Sequence, residues 1–224
     1  MTMKPAIYLI PFLIVTVGFL IRWEFSGNRK NIHFIKPVST ILVILAALFS
    51  LLEPYWNTTY TFGVIVGLVF SMGGDIALMF QEDKKAFRIG LVLFLLAHIV
   101  YTAIFTIIGH FSGLSAICAL VVLLLGLGIY WMIQSNLGSM KGPVIAYIVI
   151  ISLMVIQAVS VLTSQGIDDF HALMMVSGAV LFYISDVILA ANRFWRPWKY
   201  NRISLAFYYS GQMLIALSAS YFVR

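Results

Sequence analysis

The chain has 224 residues, of which 62% are hydrophobic and 10% charged, against about 25% charged in an average soluble domain. This excludes a soluble globular enzyme, a disordered chain and a nucleic-acid-binding domain. The 14 Lys and Arg residues behind the net charge of +6 are spread among apolar runs and form no basic face.

At about 20 residues per span, the chain reads as an all-α polytopic membrane protein with roughly eight transmembrane helices. The first span is predicted over 5–21, after a single Lys4. No small-residue cleavage site precedes Arg22-Trp23, so this is read as a mature helix and not a signal peptide. The second is predicted over 37–52, with Pro37 in its first turn, a position that tolerates proline. It is short, and the alternative is a helix shielded inside the bundle. The third, over 60–80, carries Gly63, Gly67, Ser71 and Asp75 at steps of four; the glycine pair allows close helix approach. The fourth, over 87–109, places Gly90, Phe94, His98 and Tyr101 on one face. The fifth, over 113–133, holds the single cysteine, Cys118, so no intramolecular disulfide forms. The sixth spans 143–163, opening on Pro143, the seventh 170–191, and the eighth 203–223, where Tyr209, Gln212 and Ala216 share a face. The loops are short, so residues 1–224 read as a single integral membrane domain.

Loop charges predict the orientation. Arg22, Arg29, Lys30, Lys36, Lys84, Lys85, Arg88, Lys141, Arg193, Arg196, Lys199 and Arg202 fall on one side, and only Lys4 and Arg224 on the other. Basic loops stay in the cytoplasm, so both termini are expected outside it. Short loops suit a bacterial inner membrane, with a eukaryotic reticulum membrane as the alternative.

Two segments echo one another. Gly73-Gly74-Asp75-Ile76-Ala77-Leu78-Met79-Phe80 aligns with Ile184-Ser185-Asp186-Val187-Ile188-Leu189-Ala190-Ala191. Four helices separate the copies, which implies a parallel 4+4 internal repeat about an axis along the membrane normal. The alternative is two ordinary helix ends that each need a polar residue.

Ionisable residues inside a span are costly and usually face the bundle interior with a partner. Asp75 lies six residues before Gln81 and Asp186 six before Asn192, each about 9 Å from a basic loop. His98 and Gln212 lie ten residues past Arg88 and Arg202, about 15 Å deep. Two acids in one dry layer share a single negative charge most easily, which supplies a general acid and a general base. The pair suits hydrolysis of a lipid whose chain enters between helices. Glu53, Glu82, Asp83, Asp168 and Asp169 sit at span ends and are expected to be solvated. His33, His110 and His171 read as solvated or capping. Trp195 and Trp198 among Arg193, Arg196 and Lys199 form an interfacial belt that also suits an anionic lipid head group. GxSxG, HExxH, Walker and CxxC motifs are absent, and no histidine set has zinc-like spacing; no catalytic metal is expected.

Four segments resemble the YhhN-type lysoplasmalogenase family: Gly74-Asp75-Ile76-Ala77-Leu78; Gly90, Phe94, His98 and Tyr101; Tyr183-Ile184-Ser185-Asp186 with Leu189-Ala190-Ala191-Asn192-Arg193-Phe194; and Tyr208-Tyr209-Ser210-Gly211-Gln212. The resemblance covers spans three to eight, and the first two only in general character. It implies a membrane hydrolase that cleaves the vinyl ether of lysoplasmalogens, a class of lysophospholipid, to a fatty aldehyde and glycerophosphoethanolamine or glycerophosphocholine. It implies no cofactor, and membrane lipids as the other partners.

Asp75 and Asp186 are then expected to be the catalytic carboxylates, one protonating the alkene and the other stabilising the cation and activating water. His98 and Gln212 orient water or the ether oxygen, with Tyr101, Tyr208 and Tyr209 as further donors. Asn192 and Arg193, near the cytoplasmic mouth, hold the phosphate. Two rivals remain at this level. Buried acids in a parallel repeat also suit a proton-coupled transporter, although the spans lack broken helices. Gly73-Gly74-Asp75 faintly resembles an intramembrane aspartyl protease motif, but four helices separate the two acids.

Overall fold

The fold is described from a computed structural model covering residues 4–54 and 56–221; Arg224, counted above for the orientation, lies outside them. Among these residues the chain forms eight α-helices: α1 (Ile10–Ser26), α2 (Arg29–Phe49), α3 (Thr58–Leu78), α4 (Lys84–Ile108), α5 (Gly113–Ile133), α6 (Lys141–Ser160), α7 (Asp169–Phe194) and α8 (Ser204–Ser220). Short 3-10 turns precede α1 and follow α2, α5 and α6.

Local chemistry sets several boundaries. Gly27 ends α1 at φ +69°, a left-handed conformation that favours glycine. Asn28 follows at once as the cap of α2, accepting from the Asn31 amide at 3.3 Å. Asn57 caps α3 by accepting from the Tyr60 amide at 2.9 Å. Asp83 caps α4 through the Lys85 and Ala86 amides, at 2.6 and 2.9 Å. Ser112 and Ser115 form a capping box that opens α5.

Seven of the helices, α1 counted with the turn before it, are long and apolar enough to cross a membrane. α8 is described over 17 residues and lies mostly buried, in contact with α1, α2, α3 and α7. α5 is the opposite case: Ile117, Leu120, Leu124, Leu127 and Trp131 point outward. An apolar exterior of this extent is stable in lipid and not in water. The chain is an integral membrane protein.

The second span departs from expectation. α2 begins at Arg29, and Pro37 lies inside it, not in its first turn. A proline removes one intrahelical hydrogen bond, and neighbouring helices in a bundle compensate for that loss; the Asn28 cap therefore decides where the helix starts. Lys36, expected in a cytoplasmic loop, is consequently carried into the bundle and is only 6% exposed. α7 runs on to Phe194, so Asn192 and Arg193 occupy its last turn and not the loop beyond.

The packing extends the internal echo. α1–α2, α2–α3 and α3–α4 pack as neighbours, as do α5–α6, α6–α7 and α7–α8; α4 packs on α6 as α8 packs on α2. A constant shift of 111 residues relates Tyr101 to Gln212, and these two bond to each other at 3.0 Å. The same shift carries Gly67 to Gly178, both at close helix crossings. The neighbour contacts of the first four helices are thus repeated by the last four, with Tyr101 and Gln212 in contact between them.

Candidate active site

α3 and α7 deliver the two carboxylates to one chamber. Its lining includes Asp75, Asp186, Lys36, Glu24, Arg202 and Tyr208. Asp75 is 3% exposed. Its Oδ2 accepts from Thr40 Oγ1 and from the Tyr208 hydroxyl, both at 2.7 Å. Its Oδ1 faces Lys36 Nζ at 3.3 Å. Thr40 stands one turn from Lys36 on α2, and the Tyr209 hydroxyl donates to the Lys36 carbonyl at 3.2 Å. Asp75 therefore sits in a hydrogen-bonded cage with an ammonium on one side.

Asp186 has a different setting. The Tyr147 hydroxyl of α6 donates to its Oδ2 at 2.5 Å. His98 Nε2 lies 3.6 Å from the same oxygen, longer than a hydrogen bond. The other ring nitrogen is 2.6 Å from the Phe94 carbonyl. A carbonyl only accepts, so Nδ1 carries the hydrogen and Nε2 is the nitrogen turned toward Asp186. His98 is fully buried, edge-on to Phe182 and Tyr147; packing fixes its ring.

The chamber adjoins two further cavities. A mostly apolar groove runs between α4, α5, α6 and α7, lined by residues including Phe87, Leu91, Ile148 and Val187, and Asp186 belongs to its wall as well. A polar vestibule, lined among others by Arg29, Glu82, Asn192, Arg193, Glu24 and Arg202, opens at the basic end of the bundle. Leu78 and Leu189 line all three spaces. In the vestibule Arg29 pairs with Glu82, and Arg202 Nε meets Glu24 at 3.1 Å. Arg193 lines both groove and vestibule and has no ion-pair partner among the described residues; its guanidinium lies 4.8 Å from the Phe87 ring centroid. Two helical turns, about 10 Å, separate it from Asp186.

The residues singled out in the sequence divide into two sets. Asp75, Asp186, Tyr208 and Arg193 line these spaces, and His98 stands directly behind Asp186. Tyr101, Tyr209 and Gln212 line none of the three. Tyr101 and Gln212 bond to each other in the core, with the Tyr101 ring against Gly67. Asn192 lines the vestibule, but its Oδ1 accepts from the Trp198 amide and Asn201 Nδ2, at 2.8 and 2.9 Å; that oxygen holds the loop after α7. Sequence reasoning missed Lys36, Thr40 and Tyr147. The spacing Lys36 to Thr40, one helical turn, was the available signal for the first two. Tyr147 stands at the 111-residue shift from Lys36, which makes the Lys36–Asp75 and Tyr147–Asp186 pairs equivalent in the two halves.

Membrane-length helices that enclose two carboxylates between an apolar groove and a polar vestibule define an integral membrane protein built around a buried acid site. The chain belongs to the YhhN family, whose model matches residues 32–219. It is 32% identical to lysoplasmalogenase TMEM86A of Bos taurus over 219 residues, covering 94% of this chain and 88% of that protein. It is 33% identical to the Homo sapiens lysoplasmalogenase TMEM86A over 218 residues, with the same shares covered. A lysoplasmalogenase homolog of Dictyostelium discoideum is 24% identical over 261 residues, covering 94% of this chain and 84% of that protein. No solved structure matches the chain significantly.

Proposed function

We propose that this protein is a lysoplasmalogenase, a membrane hydrolase that cleaves the vinyl ether of an alkenyl lysophospholipid. The observation that carries this reading is the presence of both carboxylates in one chamber, next to an apolar groove on one side and a polar mouth on the other. The relatives named lysoplasmalogenase support it. In this reading the alkenyl chain occupies the groove, the vinyl ether the acid chamber, and the phosphate the vestibule beside Arg193. Arg193 is suited to that role because the other two vestibule arginines are already paired.

The reaction needs a proton on the outer alkene carbon, stabilisation of the oxocarbenium ion that results, and a water activated to attack it. Two carboxylates in a water-poor site supply these functions. The hemiacetal then collapses to a fatty aldehyde and a glycerophospho-alcohol. His98 holds its imidazole against Asp186, and Tyr208 orients Asp75. Tyr101, Tyr209 and Gln212 act as supports for the wall behind the site and not as substrate contacts.

The eight helices form one membrane domain, in a bacterial inner membrane, with the vestibule facing the cytoplasm and both termini outside. Removing buried Lys36 from the loop count leaves eleven cations on that side against two, so the charge asymmetry persists. Asp75→Asn and Asp186→Asn are each expected to abolish aldehyde release from lysoplasmalogen while leaving the protein folded. Activity retained by either variant overturns the assignment.

A further inference from the structure

We infer that Lys36 is a positioning residue that makes the two carboxylates unequal, with Asp75 serving as the carboxylate and Asp186 as the proton donor. The inference rests on the vinyl-ether reading above and adds a division of labour to it.

Five charged side chains line the acid chamber: Glu24, Lys36, Asp75, Asp186 and Arg202. Four of them form two pairs, Arg202 with Glu24 at 3.1 Å and Lys36 with Asp75 at 3.3 Å. Asp186 is left over. The groups facing it are the Tyr147 hydroxyl on α6 and His98 on α4, with Asp75 and Tyr208 lining the same chamber. A negative charge on Asp75 completes a neutral pair. A second on Asp186, whose side chain is 14% exposed, would be a largely buried charge with no lysine or arginine ion-paired to it, a costly state. One proton on Asp186 leaves the chamber neutral. The 111-residue shift brings Tyr147 to Asp186 where Lys36 meets Asp75, so the first carboxylate faces an ammonium where the second faces a neutral phenol.

Position agrees with charge. Asp186 forms part of both the chamber wall and the apolar groove, whereas Asp75 lines the chamber alone. An alkenyl chain lying in the groove therefore presents its double bond to Asp186. The Asp186 proton goes to the outer alkene carbon, forming a C–H bond as the alkene electrons are consumed and the oxocarbenium ion appears. Water adds to the inner carbon and gives one proton to Asp75. In the collapse of the hemiacetal, its hydroxyl proton returns to Asp186 as the bond to the glycerol oxygen breaks. Asp75 passes its proton to that oxygen. Both acids end as they began, and one water has been consumed.

Infrared spectroscopy of the purified protein at neutral pH tests this without turnover. A protonated-carboxyl band is expected in wild type and is expected to be absent from Asp186→Asn. A band kept in Asp186→Asn overturns the assignment, as does its absence from wild type. Kinetics test Lys36. Lys36→Met is expected to lose about 100-fold in kcat, the scale of one lost electrostatic contact at a reacting centre. Binding of a non-hydrolysable alkyl-ether lysolipid should be kept, so that kcat falls without loss of affinity. Lys36→Arg should restore kcat. A folded Lys36→Met with wild-type kcat refutes the role. Failure of wild type to release aldehyde would instead remove the vinyl-ether reading beneath it.

Discussion

Gly178→Ala tests whether the seam between α7 and α8 sets the geometry of the site. A Cβ at Gly178 would stand 2.7 Å from Ile215 Cγ1 and 2.9 Å from the Gly211 carbonyl oxygen. Ordinary contact begins at 3.4 Å, so the helices must part by about 0.5–0.7 Å. Gly211 offers backbone and not a flexible side chain, so the strain is not relieved by a rotamer change. Overpacking of this kind costs about 1–3 kcal/mol, and the better helix propensity of alanine returns about 1 kcal/mol. A net loss of up to about 2 kcal/mol is expected by thermal unfolding in detergent. α7 carries Asp186 and α8 carries Tyr208, so kcat should fall by tenfold or more, since a shift approaching 1 Å costs about 100-fold. Gly128→Ala on α5 is the control, because a Cβ there meets nothing within 4 Å. It should be neutral or stabilising. Gly178→Ala as stable and as active as Gly128→Ala would refute the reasoning.

Further outcomes follow from other contacts. Arg193→Gln should raise KM by about 10- to 150-fold, the equivalent of 1.5–3 kcal/mol for a lost hydrogen bond to a charged group, with little change in kcat; steady-state kinetics decide it. Tyr101→Phe strands the Gln212 oxygen in the core and should cost about 1–3 kcal/mol of stability while leaving KM unchanged, which thermal unfolding and kinetics together check. The Ala86 and Lys85 amides hold the Asp83 carboxyl below its ordinary range. Because folding lowers that value, the cap contributes fully at neutral pH and is lost as pH falls through the acid range. Asp83→Ala should therefore lower the unfolding midpoint at pH 7, and the difference from wild type should close on acidification.

Much of this arrangement is legible in the sequence because a membrane makes charge placement expensive. The apolar runs mark the helices, and Asp75 and Asp186 stand out at equal depth from their nearest polar breaks. The halves also announce themselves through the repeated motif. Lys36 was hidden by Pro37, which reads as a helix start when the Asn28 cap is overlooked; a lysine just before it then looks like loop charge. Tyr147 was hidden for another reason. A phenol in an apolar helix has the composition of an interfacial residue, and only the fold shows that its hydroxyl meets Asp186. Tyr101 and Gln212 had the depth expected of site residues, but depth along a helix does not give the direction a side chain takes around it. They meet between the two halves of the chain, where the Tyr101 hydroxyl donates to the Gln212 oxygen.

The central claim is tested most directly by aldehyde release from purified protein given an alkenyl lysophospholipid, with the matching ester and alkyl-ether lysolipids alongside. The account predicts stoichiometric fatty aldehyde from the alkenyl lipid, none from the other two, and none from the alkenyl lipid with Asp186→Asn. Cleavage of the ester or alkyl-ether lipid alone, or aldehyde release that survives Asp186→Asn, would contradict it.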